Sequence, residues 1–262
     1  TRLYASHRTT IRLFGESGFD RLPMNDEKQE YAALLRHNLS RARNLRAAAA
    51  ASSDDRADRN RLREWQSLRL ARTHRDLLDS PRYGPAARFF LDDLYGPKDF
   101  SRRDDEVERI VPLMTRLLPP SALRTIAMAV GLDALSEELD SAMIVALREA
   151  GCMRQIDDQA YAGAYRACNN RPQREAQIRR VGEIGRALAG LPRMPLLASM
   201  LRMMRGPAHV AGLAELHEFL NRGFAAFKHM GAPDEFLRTV RDREIALMVA
   251  WLAAPPDRTT VS

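Results

Sequence analysis

The sequence predicts an all-α protein, a multi-helix bundle of about ten helices with no sheet. Three observations carry that expectation. Apolar residues recur at three- and four-residue spacing from residue 26 almost to the C-terminus. No segment alternates apolar and polar residues between turn signals, so no strand is predicted. Prolines and glycines fall mainly between the periodic segments, where helices begin and end. At 262 residues and 45% hydrophobic, the chain is long enough to bury a full core.

Residues 1–25 contain several arginines, few acids and no sustained helical period, and read as a flexible leader or arm. Residues 26–254 read as one helical domain, divisible into subdomains 26–118 and 120–254, with 255–262 as a tail. The first helix carries a stripe of Tyr31, Leu34, Leu35, Leu39 and Leu45. Ser52-Ser53-Asp54-Asp55 stops it and caps the next, which carries Leu62, Trp65, Leu68, Leu77 and Leu78 and stops before Pro81. These two helices are expected to form an antiparallel hairpin with its arginines toward solvent.

A short helix from Ala86 to Tyr95 is closed by Gly96 and Pro97, and Ser101-Arg102-Arg103-Asp104 has the form of a capping box for its successor. That successor bears Val107, Ile110, Val111, Met114, Leu117 and Leu118. Pro112 should kink it, and Pro119-Pro120 ends it. Leu123, Ile126 and Val130 make a short helix closed by Gly131; Leu135, Leu139, Met143, Ile144 and Leu147 make another that ends at Gly151. Asp157 to Cys168 is more polar. Pro172 opens a helix with Ile178, Val181, Ile184 and Leu188 that Gly190 ends, and a Met-rich segment follows. Pro207 and Pro233 open two final helices, expected to form a hairpin over the turn 230–233.

The formal charge of +7 is concentrated: residues 36–75 hold eleven arginines against four acids. A basic segment of that kind suits nucleic acid or an acidic partner. Against this, the whole chain prefers arginine, with only Lys28, Lys98 and Lys228 as lysines, and Trp65 is the only aromatic in the segment for stacking on bases. Nucleic acid is therefore not the expected partner. No apolar run approaches the length of a transmembrane helix, so no membrane association is expected. The N-terminal segment lacks the apolar core and small-residue cleavage site of a secretory signal. Cys152 and Cys168 read as reduced thiols of a cytoplasmic protein.

Two segments resemble a known family. Phe89-Phe-Leu-Asp-Asp-Leu-Tyr-Gly-Pro-Lys-Asp-Phe-Ser-Arg-Arg-Asp104 is similar to the signature FFLxDLYGPxDFxxRD of an uncharacterised family of all-helical bacterial proteins. Arg222-Gly-Phe-Ala-Ala-Phe-Lys-His-Met-Gly231, with Phe236 and Arg243-Glu244, is similar to a second motif near that family's C-terminus. The resemblance covers most of residues 26–254 and implies a bacterial cytosolic helical protein. It implies no activity.

The strongest candidate site lies on the last two helices. His217 falls within the apolar face of Val210, Leu213, Leu220, Phe224 and Phe227, and Glu244 within that of Leu237, Val240, Leu247, Met248 and Trp251. In an antiparallel hairpin their axial offset would be about 4.5 Å, so the pair is expected to be buried together. Such a pair could do acid–base work or ligate a metal, or could be structural, with Glu244 bonded to Arg222 or Arg241. Secondary candidates are Asp92, Asp93, Tyr95 and Asp99 in the first motif. Asp158, Tyr161 and Tyr165 share one side of the polar helix with Cys168. For the adjacent Asp92 and Asp93, the alternative is that one faces solvent and the other caps a helix or pairs with an arginine. Met200, Met203 and Met204 could line an adaptable groove. No Glu-x-x-His, His-Glu-x-x-His, Cys-x-x-Cys, phosphate-binding glycine loop or Gly-x-Ser-x-Gly elbow occurs, so no catalytic residue, metal or cofactor is assigned.

The expected function is therefore a non-catalytic binding or interaction protein with an apolar cavity or groove for a small ligand or partner helix, alone or as a homodimer. A helical enzyme using His217 and Glu244 is the alternative. Nucleic-acid binding through Arg41, Arg43, Arg46, Arg59 and Arg63 is the weaker one.

Overall fold

The computed structural model describes residues 24–94, 101–191 and 197–253, and every regular element among them is helical. The helices are α1 (Met24–Ala49), α2 (Ser53–Thr73), α3 (Arg75–Asp79), α4 (Gly84–Phe89), a π-helical turn (Phe90–Leu94), α5 (Ser101–Leu117), α6 (Pro120–Glu149), α7 (Asp158–Ala167), α8 (Arg171–Gly190), α9 (Leu197–Met203), α10 (Arg205–Val210), α11 (Ala214–Met230) and α12 (Asp234–Ala253). No helix among the described residues is long and apolar enough to cross a membrane.

The bundle is built on α6. The sequence suggests two helices here with a stop at Gly131, but α6 runs unbroken through that glycine for 30 residues. Gly131 is needed for a different reason. A Cβ there would stand 2.8 Å from Asn38 Nδ2 of α1, and that same amide nitrogen donates to the Ala127 carbonyl at 3.0 Å. The glycine lets α1 lie against α6, and the Asn38 amide fastens the two. α1 consequently packs chiefly along α6 and only slightly on α2, so the expected α1–α2 hairpin is replaced by two helices that both face α6.

That rearrangement turns arginines inward. Arg59 is 6% exposed, and the side chains of Arg46 and Arg63 are largely buried beside it. The expectation of solvent-facing arginines fails for these three because α6 carries Asp133, Glu137 and Asp140 on the face that meets α1 and α2, whereas Arg36, Arg43, Arg56, Arg72 and Arg75 are exposed as expected.

Three apolar clusters fill the remainder. Leu35, Leu39, Val107, Val111 and Ala127 join α1, α5 and α6. Leu62, Met143, Leu147, Tyr161 and Met248 join α2, α6, α7 and α12. Phe89, Phe227, Phe236 and Leu237 join α4, α11 and α12. A fully buried leucine such as Leu62 contributes about 1.5–3 kcal/mol through removal of apolar surface from water.

The expected final hairpin is also corrected. α11 packs on α4 and α5, whereas α12 packs on α8 and α7. Two glycine notches set these choices. A Cβ at Gly223 would lie 2.8 Å from Phe89 Cζ, and one at Gly185 would lie 2.5 Å from Leu237 Cδ2. The helix expected from Pro207 is interrupted as well: α10 ends at Val210, Gly212 takes φ +66°, and α11 starts afresh at Ala214. Other boundaries follow local chemistry as read. Ser52 accepts from the Asp55 amide at 3.1 Å at the start of α2, and Asp157 accepts from the Ala160 amide at 2.7 Å at the start of α7.

Candidate functional site

A cavity of about 170 Å³ opens between α2, α6, α8 and α12, with α3, α4 and the π-helical turn along its edge. Its lining contains two kinds of side chain. Leu70, Leu78, Ile178, Val181, Phe236 and Val240 form an apolar wall; Gln66, Arg69, His74, Asp140, Arg174 and Glu244 form a polar one. The volume is of the order that accommodates a benzene-sized guest in an apolar protein cavity, about 150 Å³.

Glu244 anchors the polar wall. Arg69 Nη1 donates to both of its carboxylate oxygens, at 2.6 and 2.7 Å, and His74 Nε2 lies 3.0 Å from Oε1. Burial pushes the Glu244 carboxyl up, but the His74 hydrogen bond and the Arg69 charge and hydrogen bond outweigh it and hold the pKa below the ordinary value. Arg69 also rests on the Trp251 ring, 5.4 Å from its centroid. Trp251 meets Tyr161 and Tyr165 at 5.0 and 5.1 Å, and Tyr161 stacks on Trp65 at 4.0 Å. Gln66 donates to Asp140 at 3.0 Å and approaches the Tyr161 hydroxyl at 3.4 Å. Burial pushes the Tyr165 phenol and the Cys168 thiol up, so both stay protonated at neutral pH.

Arg174 is the unusual member. It is 5% exposed, and its guanidinium lies over the Tyr165 ring at 4.6 Å. Its one hydrogen bond, from Nη1 to Gln177 Oε1, is long at 3.4 Å. Its Nε and Nη2 have no hydrogen-bond partner among the described residues.

Adjoining the cavity is a denser ionic cluster centred on Glu137, which is 2% exposed. Arg46, Arg59 and Arg63 all donate to it. Arg46 also reaches Asp104 and Asp133, Arg63 reaches Asp140, and Arg59 reaches Ser141 at 2.9 Å. Burial works against the Arg46 charge, but Asp133, Asp104 and Glu137 prevail and hold its pKa above the ordinary value. At Arg59 burial prevails and lowers it.

The candidates from sequence are dispersed. His217 and Glu244 are both buried or nearly so, but they are not partners. His217 Nε2 lies 2.7 Å from the Leu201 carbonyl and its ring is near Asn221, beside a separate recess with Arg202, Arg205 and Arg222. They part because α11 and α12 turn to different neighbours. The carboxylate–imidazole pair that does form is Glu244 with His74, and the arginine on Glu244 is Arg69, not Arg222 or Arg241. Asp92 is exposed, whereas Asp93 is buried and receives Arg222 Nε and Nη2 at 3.1 and 2.9 Å. Tyr95 and Asp99 lie outside the described residues. Asp158 faces solvent and meets Arg72 at 3.1 Å, Tyr161 lines the cavity, and Tyr165 is buried under Arg174. Met203 and Met204 are exposed, and the Met200 side chain lies outside the description. Arg41 and Arg43 meet Glu138, Asp105 and Glu108, so all five arginines named for nucleic acid already hold carboxylates.

Sequence reasoning missed Arg69, His74, Arg174 and Glu137. A signal existed for two. Arg174 stands four and seven residues before Ile178 and Val181, on their apolar face, and Glu137 stands seven before Ile144. A charged residue on an apolar helical face must find a counter-charge or another role.

The two family-like segments meet in space. Phe89 enters the notch at Gly223, Phe90 packs on Phe227 and Phe236 at 5.8 Å, and Asp93 holds Arg222. They thus act together to fix the helices that close the apolar end of the cavity. Comparison with curated proteins and with solved structures finds no match. A family model described as a domain of unknown function (DUF8198) matches residues 45–258, more than four-fifths of the chain, and the chain belongs to that family.

Proposed function

We propose that this is a binding protein whose α2/α6/α8/α12 cavity holds a small ligand with an apolar portion. One observation carries the proposal: a cavity of about 170 Å³ among four helices, lined by apolar side chains together with buried charged ones. Close-packed protein interiors leave few spaces of this size. The cytoplasmic, bacterial setting that the cysteines and the family-like motifs imply belongs to the same reading. Trp65 and Trp251 flank Tyr161 and make the cavity observable. Titration with toluene is expected to change tryptophan fluorescence saturably and to raise the melting temperature, and Val181→Phe, which fills the apolar wall, should abolish both. Equal responses from Val181→Phe and the native chain, or none from either, defeat the proposal.

A second reading is favoured by one observation. His74 Nδ1 is buried with no hydrogen-bond partner among the described residues, while Nε2 is held against Glu244, as in a base oriented by a carboxylate. In this reading the protein is a helical enzyme that transforms the cavity's ligand. Mass spectrometry of ligand incubated with the native chain and with His74→Gln separates the readings: conversion by the native chain alone supports the enzyme.

A further inference from the structure

The proposed cavity reading can be taken one step further, to the chemistry of the ligand. Six buried side-chain nitrogen or oxygen atoms among the described residues have no hydrogen-bond partner, and four of them belong to Arg69, His74 and Arg174, all on the cavity wall. Unpartnered buried polar atoms are costly and uncommon, so their concentration at one void points to a polar guest there.

Arg174 sharpens this to an anion. An arginine guanidinium is a cation with five N–H donors and no acceptor. The other buried guanidiniums at this level of the bundle, those of Arg46, Arg59, Arg63 and Arg69, all have carboxylates. Arg174 has none among the described residues. The ring of Tyr165 covers the face of its guanidinium, which leaves the in-plane N–H groups to point elsewhere. The vacant atoms, Nε and Nη2, form one edge of the fork. Elsewhere in the same molecule Arg222 uses that very edge to hold Asp93, at 3.1 and 2.9 Å. The same edge of Arg174 therefore has the geometry of a bidentate carboxylate donor.

We infer that the cavity's ligand is an organic monocarboxylate whose carboxylate is held by the Nε/Nη2 edge of Arg174 and whose apolar body lies against Ile178, Val181, Phe236 and Val240. This inference rests on the proposed function above. The charge of the ligand follows from the lining. A single guanidinium lacks a counter-charge, and Asp140 and Glu244 on the same wall would repel the second charge of a phosphate monoester. The volume fits one aromatic ring or an aliphatic chain of about six to eight carbons.

Calorimetric titration of the intact chain with benzoate, hexanoate and octanoate, beside benzamide, benzyl alcohol and phenyl phosphate, tests it. At least one carboxylate is expected to bind ten or more times tighter than its neutral counterpart and than phenyl phosphate. In Arg174→Met, with its fold checked by circular dichroism, that preference should disappear while neutral probes still bind. Because the native chain alone reports the carboxylate-to-amide ratio, the test survives a variant that fails to fold. Neutral probes binding as tightly as carboxylates overturn the anion site but leave the cavity reading intact. Phenyl phosphate binding tightest overturns the monocarboxylate assignment. No probe binding, toluene included, overturns both.

Discussion

Arg59 of α2 and Arg174 of α8 are buried to nearly the same degree, 6% and 5% exposed, yet they occupy opposite electrostatic settings. Arg59 belongs to a cluster in which three arginines share Glu137 and draw on Asp104, Asp133 and Asp140. Among the described residues Arg174 has an aromatic ring, one long hydrogen bond and two nitrogens without a partner. Both arise from one sequence habit, arginine placed on a helical face that packs inward. The difference shows how a structural charge is told from an available one: burial alone does not distinguish them, whereas the inventory of partners does.

The largest loss of stability is expected at Glu137. Glu137→Ala leaves Arg46, Arg59 and Arg63 sharing too few carboxylates in a buried setting, and removing one side of such a network costs about 3–5 kcal/mol. Urea unfolding monitored by circular dichroism should show that loss as a shift in midpoint. A second large effect lies in the packing that shapes the cavity's apolar end. Gly223→Ala places a methyl group 2.8 Å from Phe89 Cζ, and overpacking of this kind costs about 1–3 kcal/mol. The same variant should weaken toluene binding, since Phe89 is packed against Phe90 of the cavity edge.

Much of this architecture was legible locally. The Leu35 and Leu39 stripe, the Ser52 cap, the stop at Gly190 and the all-helical class all follow from spacing and capping chemistry within a few residues. What was not legible depended on distant partners. A glycine in a helical pattern can end the helix or admit a neighbour, and only Asn38 on α1 shows that Gly131 does the second. Likewise Glu244 could be recognised as buried from its own face, but its partner Arg69 lies 175 positions away. Helical period tells which residues turn inward and is silent about which helix they meet, so the two final helices were expected together when their glycine notches send them apart. That is why Glu244 could be placed on an inward face from sequence while its partners Arg69 and His74 could not.

At Arg174 the expected sign reverses. Arg174→Met removes a buried charge that no carboxylate offsets, and the methionine can keep the apolar stem's packing. The variant should be more stable than the native chain in the absence of ligand, by about 1 kcal/mol, near the lower end of what replacing buried charges by apolar side chains achieves. Urea midpoints of Glu137→Ala and Arg174→Met should therefore move in opposite directions. A loss comparable to that at Glu137 would show that Arg174 is structural.

Acid titration probes the cavity's own ion pair. The Glu244 pKa is lower in the folded chain than its ordinary value of 4.5, so its contribution to stability is complete above that value. It is lost as the pH falls through the folded-state value. Glu244→Gln should reduce the dependence of stability on pH in this acid range and leave the slope above it unchanged. Melting temperatures of the two chains across the range report the difference, and parallel curves would show that Arg69 and His74 do not hold the carboxylate in solution.

The smallest effect is expected at Asp158, on the same helix as Tyr161 and Tyr165. Its ion pair with Arg72 joins side chains that are 78% and 63% exposed. Water and salt screen such a pair, and both side chains lose rotamer freedom in forming it, so its net contribution is about 0–0.5 kcal/mol. Asp157 caps the helix independently through the Ala160 amide, so Asp158→Asn leaves that start intact. The variant should unfold within about 0.5 kcal/mol of the native chain and bind toluene and benzoate equally well. A marked loss of binding in Asp158→Asn would mean that the cavity extends past Tyr161 to the outer surface of α7, placing the carboxylate site nearer solvent than Arg174.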